Sequence, residues 1–275
     1  MNFRATYFRR AQSAFTMVEI AISLAVIGIA LVAIIGVLPL GMREQRDNRE
    51  QTVINQDATV FIEAIRGGAR GLDDLTNYVY AITNYWTEFK NNLPTGNNGV
   101  NGYTYNNSSV TWSLPLNLSF NPITNGVRIV GLLSTPEYID ANSRAPIPNL
   151  LNGGISNHVV AYVRSISGPA VEKPPQDNPV IHGDSSNPAG DTFAYRILCV
   201  NAPVATDMNA PSLYTTNLTA NLHELRLTFL WPILPNGGIG TGRQTFRALV
   251  AGQLVQDATN NSLYFYQSQS FTNAP

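Results

Sequence analysis

One apolar run, Ile20 to Leu40, constrains this chain more than any other part of its 275 residues. As an α-helix it rises about 31 Å at ~1.5 Å per residue, close to the ~30 Å hydrocarbon thickness of a bilayer. It is also too long for the apolar region of a cleaved secretory signal, which has roughly 7 to 15 residues. The run therefore reads as a single membrane span. A leader with no acidic residue, carrying Arg4, Arg9 and Arg10, precedes it, and Glu19 stands immediately before it. A carboxylate in the hydrocarbon region costs roughly 2.5 to 3.5 kcal/mol on insertion scales, so it needs a partner or a structural task. One such task is local. Thr16-Met17-Val18-Glu19 fits a capping box, in which the Thr hydroxyl and the Glu carboxylate satisfy backbone donors at a helix start.

Basic residues do not decide the orientation, because Arg43, Arg46 and Arg49 follow the run as Arg4, Arg9 and Arg10 precede it. Long domains translocate largely regardless of charge, whereas a short basic leader is easily retained. The expected arrangement is N-terminus inside and bulk outside.

The order of parts, a basic leader, then Ala14-Phe15-Thr16-Met17-Val18-Glu19, then the span, resembles the N-terminus of type IV prepilins and type II secretion pseudopilins. The likeness covers about the first 66 residues. It implies that a prepilin peptidase cuts between Ala14 and Phe15, that Phe15 becomes the N-methylated terminus, and that Glu19 pairs with the terminal amine of a neighbouring subunit. In place of Ala14 the family more often has Gly. The resemblance further implies a non-enzymatic filament subunit without a cofactor, anchored in the bacterial inner membrane with its head outside the cytoplasm. Its partners would be the peptidase, membrane lipid before assembly, and other pilin or pseudopilin subunits through the N-terminal helix. Val37-Leu38-Pro39-Leu40-Gly41 adds a narrower likeness to the pilin-like proteins of Verru_Chthon cassettes. The division that follows is leader 1–14, transmembrane half-helix 15–41, amphipathic half-helix 42–66 and head 67–275.

Periodicity leads to a compatible layout. Beyond a charged collar from Met42 to Glu50, the residues Val53, Ile54, Ala58, Phe61, Ile62 and Ile65 recur at three- and four-residue spacing, one apolar face of a continuing helix. Gly67, Gly68 and Gly71 supply its stop. Pro39, which lacks a backbone donor, marks an expected kink or local melting. Asp73 to Leu93, with Leu75, Tyr78, Val79, Ile82, Trp86 and Phe89, reads as a second amphipathic helix. From residue 100 onward the period changes, and 110–120, 127–133, 159–166, 193–200, 225–231, 246–254 and 263–271 read as strands. The predicted class is α+β, a long helix packed on an antiparallel sheet. Its head exceeds what a compact major pilin needs, which suggests a minor or accessory subunit.

Little in the head points to chemistry. Cys199, the one cysteine, lies in Ile197-Leu198-Cys199-Val200 and reads as a buried strand residue. His158, His182 and His223 lack the paired spacing of a zinc site. Gly238-Ile239-Gly240-Thr241-Gly242 is followed by no Lys-Ser/Thr and reads as a hairpin rather than a phosphate loop. Asp177, Asp184 and Asp191 are weak candidate calcium ligands within an exposed Pro-rich loop, 168–191, itself a candidate contact surface. Loss of the three leader arginines would move the net charge only from −1 to −4, with no basic stripe of the kind nucleic acid needs. Besides the filament subunit, two readings stay open: a tethered binding module or adhesin whose N-terminal segment is only an anchor, and an anchored hydrolase.

Overall fold

The computed structural model describes residues 15–68, 73–104, 120–167, 193–204, 213–234, 238–258 and 262–267. The chain divides into two units, Met1–Gln51 and Thr52–Pro275, with the boundary inside the first helix. That helix, α1, runs from Met17 to Gly67, and its helical assignment is unbroken through Pro39. It stops as the glycines foretell. Gly68 takes φ +66, a left-handed conformation that costs glycine little and ends the helix, and its N–H donates back to the Ile65 carbonyl at 3.4 Å.

The second unit is built on a mixed eight-stranded sheet. In chain order its strands are β1 (Val79–Lys90), β2 (Leu93–Thr104), β3 (Phe120–Pro122), β4 (Tyr138–Ile139), β5 (Gly154–Arg164), β6 (Ala194–Pro203), β7 (Leu222–Ile233) and β8 (Ile239–Ala251). The spatial order is β3-β2-β1-β5-β6-β7-β8, with β4 beside β5. Every pairing is antiparallel except β2 with β3, which is parallel. A short hairpin, β9 (Gln253–Gln256) and β10 (Tyr264–Gln267), and two helices, α2 (Gly126–Leu133) and α3 (Leu213–Asn221), complete the described elements. This is a long helix followed by an antiparallel-rich head, the α+β, pilin-like class expected.

Period-two alternation decides which residues form the core. On β5, Val159, Ala161 and Val163 face one side, with Ile82, Ile197, Leu225, Leu227 and Phe229 of neighbouring strands. Against that face pack Ile54, Ala58, Phe61 and Ile65 of α1, the buried residues of α2, and Tyr264 and Tyr266 of β10. The intervening Val160 and Tyr162 join Tyr80 and Ala81 in a smaller cluster on the opposite face.

Two sequence expectations fail here. Asp73 to Leu93 is not a helix: after one 3-10 turn, Asp73–Asn77, the chain is strand β1. The first residues of β1 are buried on both faces, so their apolar spacing carries no strand period and mimics a helix. Conversely, 127–133 is not a strand but α2. Asn125 caps it, its side chain accepting from the Arg128 N–H at 2.9 Å, and most of its side chains are buried, which again erases the period. The strands expected near 159–166, 193–200 and 225–231 are present as β5, β6 and β7. Residues 246–254 are divided between β8 and β9, and 263–271 is represented by β10. Of the strand expected at 110–120, only Phe120 falls within the described residues, where it opens β3.

Candidate functional site

At the start of α1 the capping box forms. The Thr16 hydroxyl accepts from the Glu19 N–H at 3.3 Å, and a Glu19 carboxylate oxygen accepts from the Thr16 N–H and hydroxyl, each at 3.4 Å. Ser23 donates to the Glu19 carbonyl at 2.8 Å. From Phe15 to Pro39 every side chain is exposed, among them Ile29 at 72% and Val32 at 73%. A helix apolar on all sides is stable only when something covers it, lipid or other helices. It is the one helix among the described residues long and apolar enough to cross a membrane. Beyond it, Arg46 and Glu50 form an i,i+4 ion pair at 2.8 Å within the charged collar.

Comparison with known families matches residues 9–35 to the prokaryotic N-terminal methylation motif. The chain has a type IV pilin-like, or pseudopilin-like, N-terminus. The match spans Ala14, Phe15 and Glu19 and continues into the apolar helix; it implies processing by a prepilin peptidase and assembly with other pilins. No curated protein and no solved structure matches the chain. The pilin-like motif and the one membrane-capable helix together fit a single-pass inner-membrane protein.

In the head, a residue absent from the sequence reading proves central. Asp57, on the second half of α1, is 0% exposed. Its carboxylate accepts four hydrogen bonds: from the Ile166 N–H (3.0 Å), the Ser167 N–H (3.0 Å), the Ser167 hydroxyl (2.6 Å) and the Tyr195 hydroxyl (2.8 Å). Bonds to an ionised acceptor are roughly twice as strong as neutral ones, and they offset the cost of removing the charge from water. Burial first, then the neighbouring carboxylate, pushes the Tyr195 phenol well above its ordinary pKa. The signal was available, since Asp57 falls between Ile54 and Ala58 on an otherwise apolar stripe.

The remaining candidates are placed as follows. Cys199 is buried on β6, and desolvation raises its thiol pKa far enough to make it unreactive. His158 is exposed on β5, whereas His223 is buried on β7, where desolvation holds the imidazole below its usual pKa. The structure does not bring them together, and among the described residues no group of three His, Cys, Asp or Glu is placed to hold a metal ion. Gly240 and Gly242 lie on β8 beside the β7–β8 turn; a Cβ on Gly242 would come within 2.4 Å of the Trp231 ring, so the glycine makes room for indole. Arg4, Arg9, Arg10, Ala14, His182, Asp177, Asp184, Asp191 and the loop 168–191 lie outside the described residues.

Proposed function

We propose that this chain is a structural, non-enzymatic subunit, a minor pilin or pseudopilin, of a type IV pilus-like or type II secretion filament. In this reading the precursor is cut between Ala14 and Phe15 and methylated at Phe15. It waits in the inner membrane with its head outside, and enters the filament by exchanging lipid for the helices of other subunits. The observation that carries the proposal is the coincidence of the methylation motif at 9–35 with a first half of α1 whose apolar side chains are uncovered on every side. Lipid already keeps these side chains from water, so the drive toward neighbours comes from close side-chain packing between helices and from lipid released as they meet. Glu19 then pairs with the terminal amine of an adjacent subunit, and Pro39, with no N–H to give, is the place for α1 to bend during packing.

The formed capping box favours a second role for Glu19, in which the segment is a plain anchor and the head a tethered binding module. Glu19→Gln separates the two, because Gln serves a capping box as Glu does but carries no charge. Loss of filament incorporation by Glu19→Gln with the head intact supports charge pairing; normal incorporation removes it. The primary test is the mass and N-terminal residue of protein recovered from membranes with and without prepilin peptidase. A peptidase-dependent methyl-Phe15 terminus is expected, and an intact Met1 terminus in both strains would overturn the filament reading.

A further inference from the structure

Toward one end of the sheet the core face turns from apolar to amide-rich. On β1 the core residue Ile82 is followed on the same face by Asn84 and Trp86. Their partners across the ladders are Asn101 on β2 and Val159 and then Asn157 on β5. Asn84, Trp86, Asn101 and Asn157, with Tyr103, line an open cleft of about 510 Å³ bounded on its other side by Leu132, Thr135, Ile139, Tyr264 and the turn 142–144. The volume lies within the roughly 300 to 1,000 Å³ of small-molecule sites.

Several features fix this lining. A Cβ on Gly99 would meet the Trp86 ring at 2.7 Å, so the indole lies down on the β2 backbone instead of standing off it. Asn157, 4% exposed, is locked by accepting from the Asn84 amide at 3.0 Å and donating to the Pro136 carbonyl at 3.2 Å. The Asn84 carbonyl oxygen is left buried with no protein donor. Arg144 holds φ +60, a left-handed conformation that non-glycine residues seldom adopt. The Tyr264 hydroxyl helps to pin it by donating to the Arg144 carbonyl at 2.8 Å. Among the described residues the exposed Arg144 side chain makes no ion pair and no carboxylate lines the cavity.

Planar amides present donor and acceptor side by side, as sugar hydroxyls require. A recumbent indole offers an apolar surface for the C–H face of a pyranose, and an unpaired guanidinium takes a carboxylate in two parallel bonds. The described lining, with one cation and no acid, favours an anionic ligand over a cationic one. We propose that this cleft binds an acidic sugar, its ring on Trp86, its hydroxyls on Asn84 and Asn101, and its carboxylate on Arg144. The site lies wholly within the second unit and stands whether or not the chain enters a filament.

The test uses the full chain in micelles of a zwitterionic detergent without a sugar headgroup, titrated calorimetrically with trigalacturonate and with the neutral maltotriose. Saturable binding of trigalacturonate is expected, with maltotriose weaker by about tenfold, the worth of one charged hydrogen-bonding pair. Arg144→Gln should abolish that preference, and Trp86→Ala and Asn101→Ala should each weaken binding of both sugars. Asn101 is exposed, so its variant keeps the fold even where loss of Trp86 does not; denaturant midpoints for each variant verify this. No saturable binding of trigalacturonate, or binding unchanged in both Asn101→Ala and Arg144→Gln, would overturn the site. Equal affinity for the two sugars would overturn its acidic specificity.

Discussion

Asp57 holds four donors, of which the Tyr195 hydroxyl is fully buried. Asp57→Ala leaves the Tyr195 hydroxyl and the Ile166 and Ser167 amides unpaired, and should cost the head about 3 kcal/mol or more, read as a lowered urea midpoint with unchanged slope. Gly242→Ala should cost about 1 to 3 kcal/mol by driving a methyl into the Trp231 ring, and near-ultraviolet circular dichroism should report the displaced indole. Desolvation pushes both Tyr138 and Tyr264 up to about 12; at Tyr138 the hydrogen bond to Glu137 adds to it. In the unfolded chain these phenols titrate near their ordinary value of about 10. Between those values the folded state holds more protons than the unfolded one, so stability is full below about pH 10 and falls as pH rises toward about 12. Urea midpoints measured from pH 8 to 12 should show a plateau and then a decline, with a shallower decline in Tyr264→Phe.

The β1–β2 hairpin shows how an element hides in a sequence. Lys90 pairs with Leu93, leaving Asn91 and Asn92 as a two-residue loop with φ +50 and +61, the double left-handed turn that suits the twist of a hairpin. Asn tolerates that region and a β-branched residue does not, so Asn92→Val should destabilise the head by about 1 to 2 kcal/mol, again by urea titration. The pair was a hairpin signal, but it sat inside an apolar spacing that imitates a helix, because β1 begins buried on both sides. α2 was obscured in the same way, with Asn125 as the overlooked cap. Where one face is wet, as on α1 beyond Val53 and along β6 and β7, the period was plain and the elements were legible. The N-terminal site was legible too, since motif and span are local. Asp57 and the amide-lined cleft bring together residues up to 180 positions apart, and only the register of β1, β2 and β5 reveals such neighbours.

For the molecule as a whole, the division at Gln51–Thr52 predicts what can be separated. A fragment 52–275 keeps Ile54, Asp57, Phe61 and Ile65 and should be soluble, with cooperative thermal unfolding. A fragment 68–275 lacks the side chains that cover one face of the sheet and should aggregate or bind hydrophobic dyes. Equal behaviour of the two would show that the second half of α1 is dispensable to the core. The Asp57 clamp has a mechanical corollary. Its carboxylate fastens α1 to the residues leaving β5 and to Tyr195 of β6, and those strands lie in the middle of the sheet. A pull on this half of the helix therefore enters the sheet through its central strands β5 and β6, by way of four bonds to one carboxylate, and not through an edge strand.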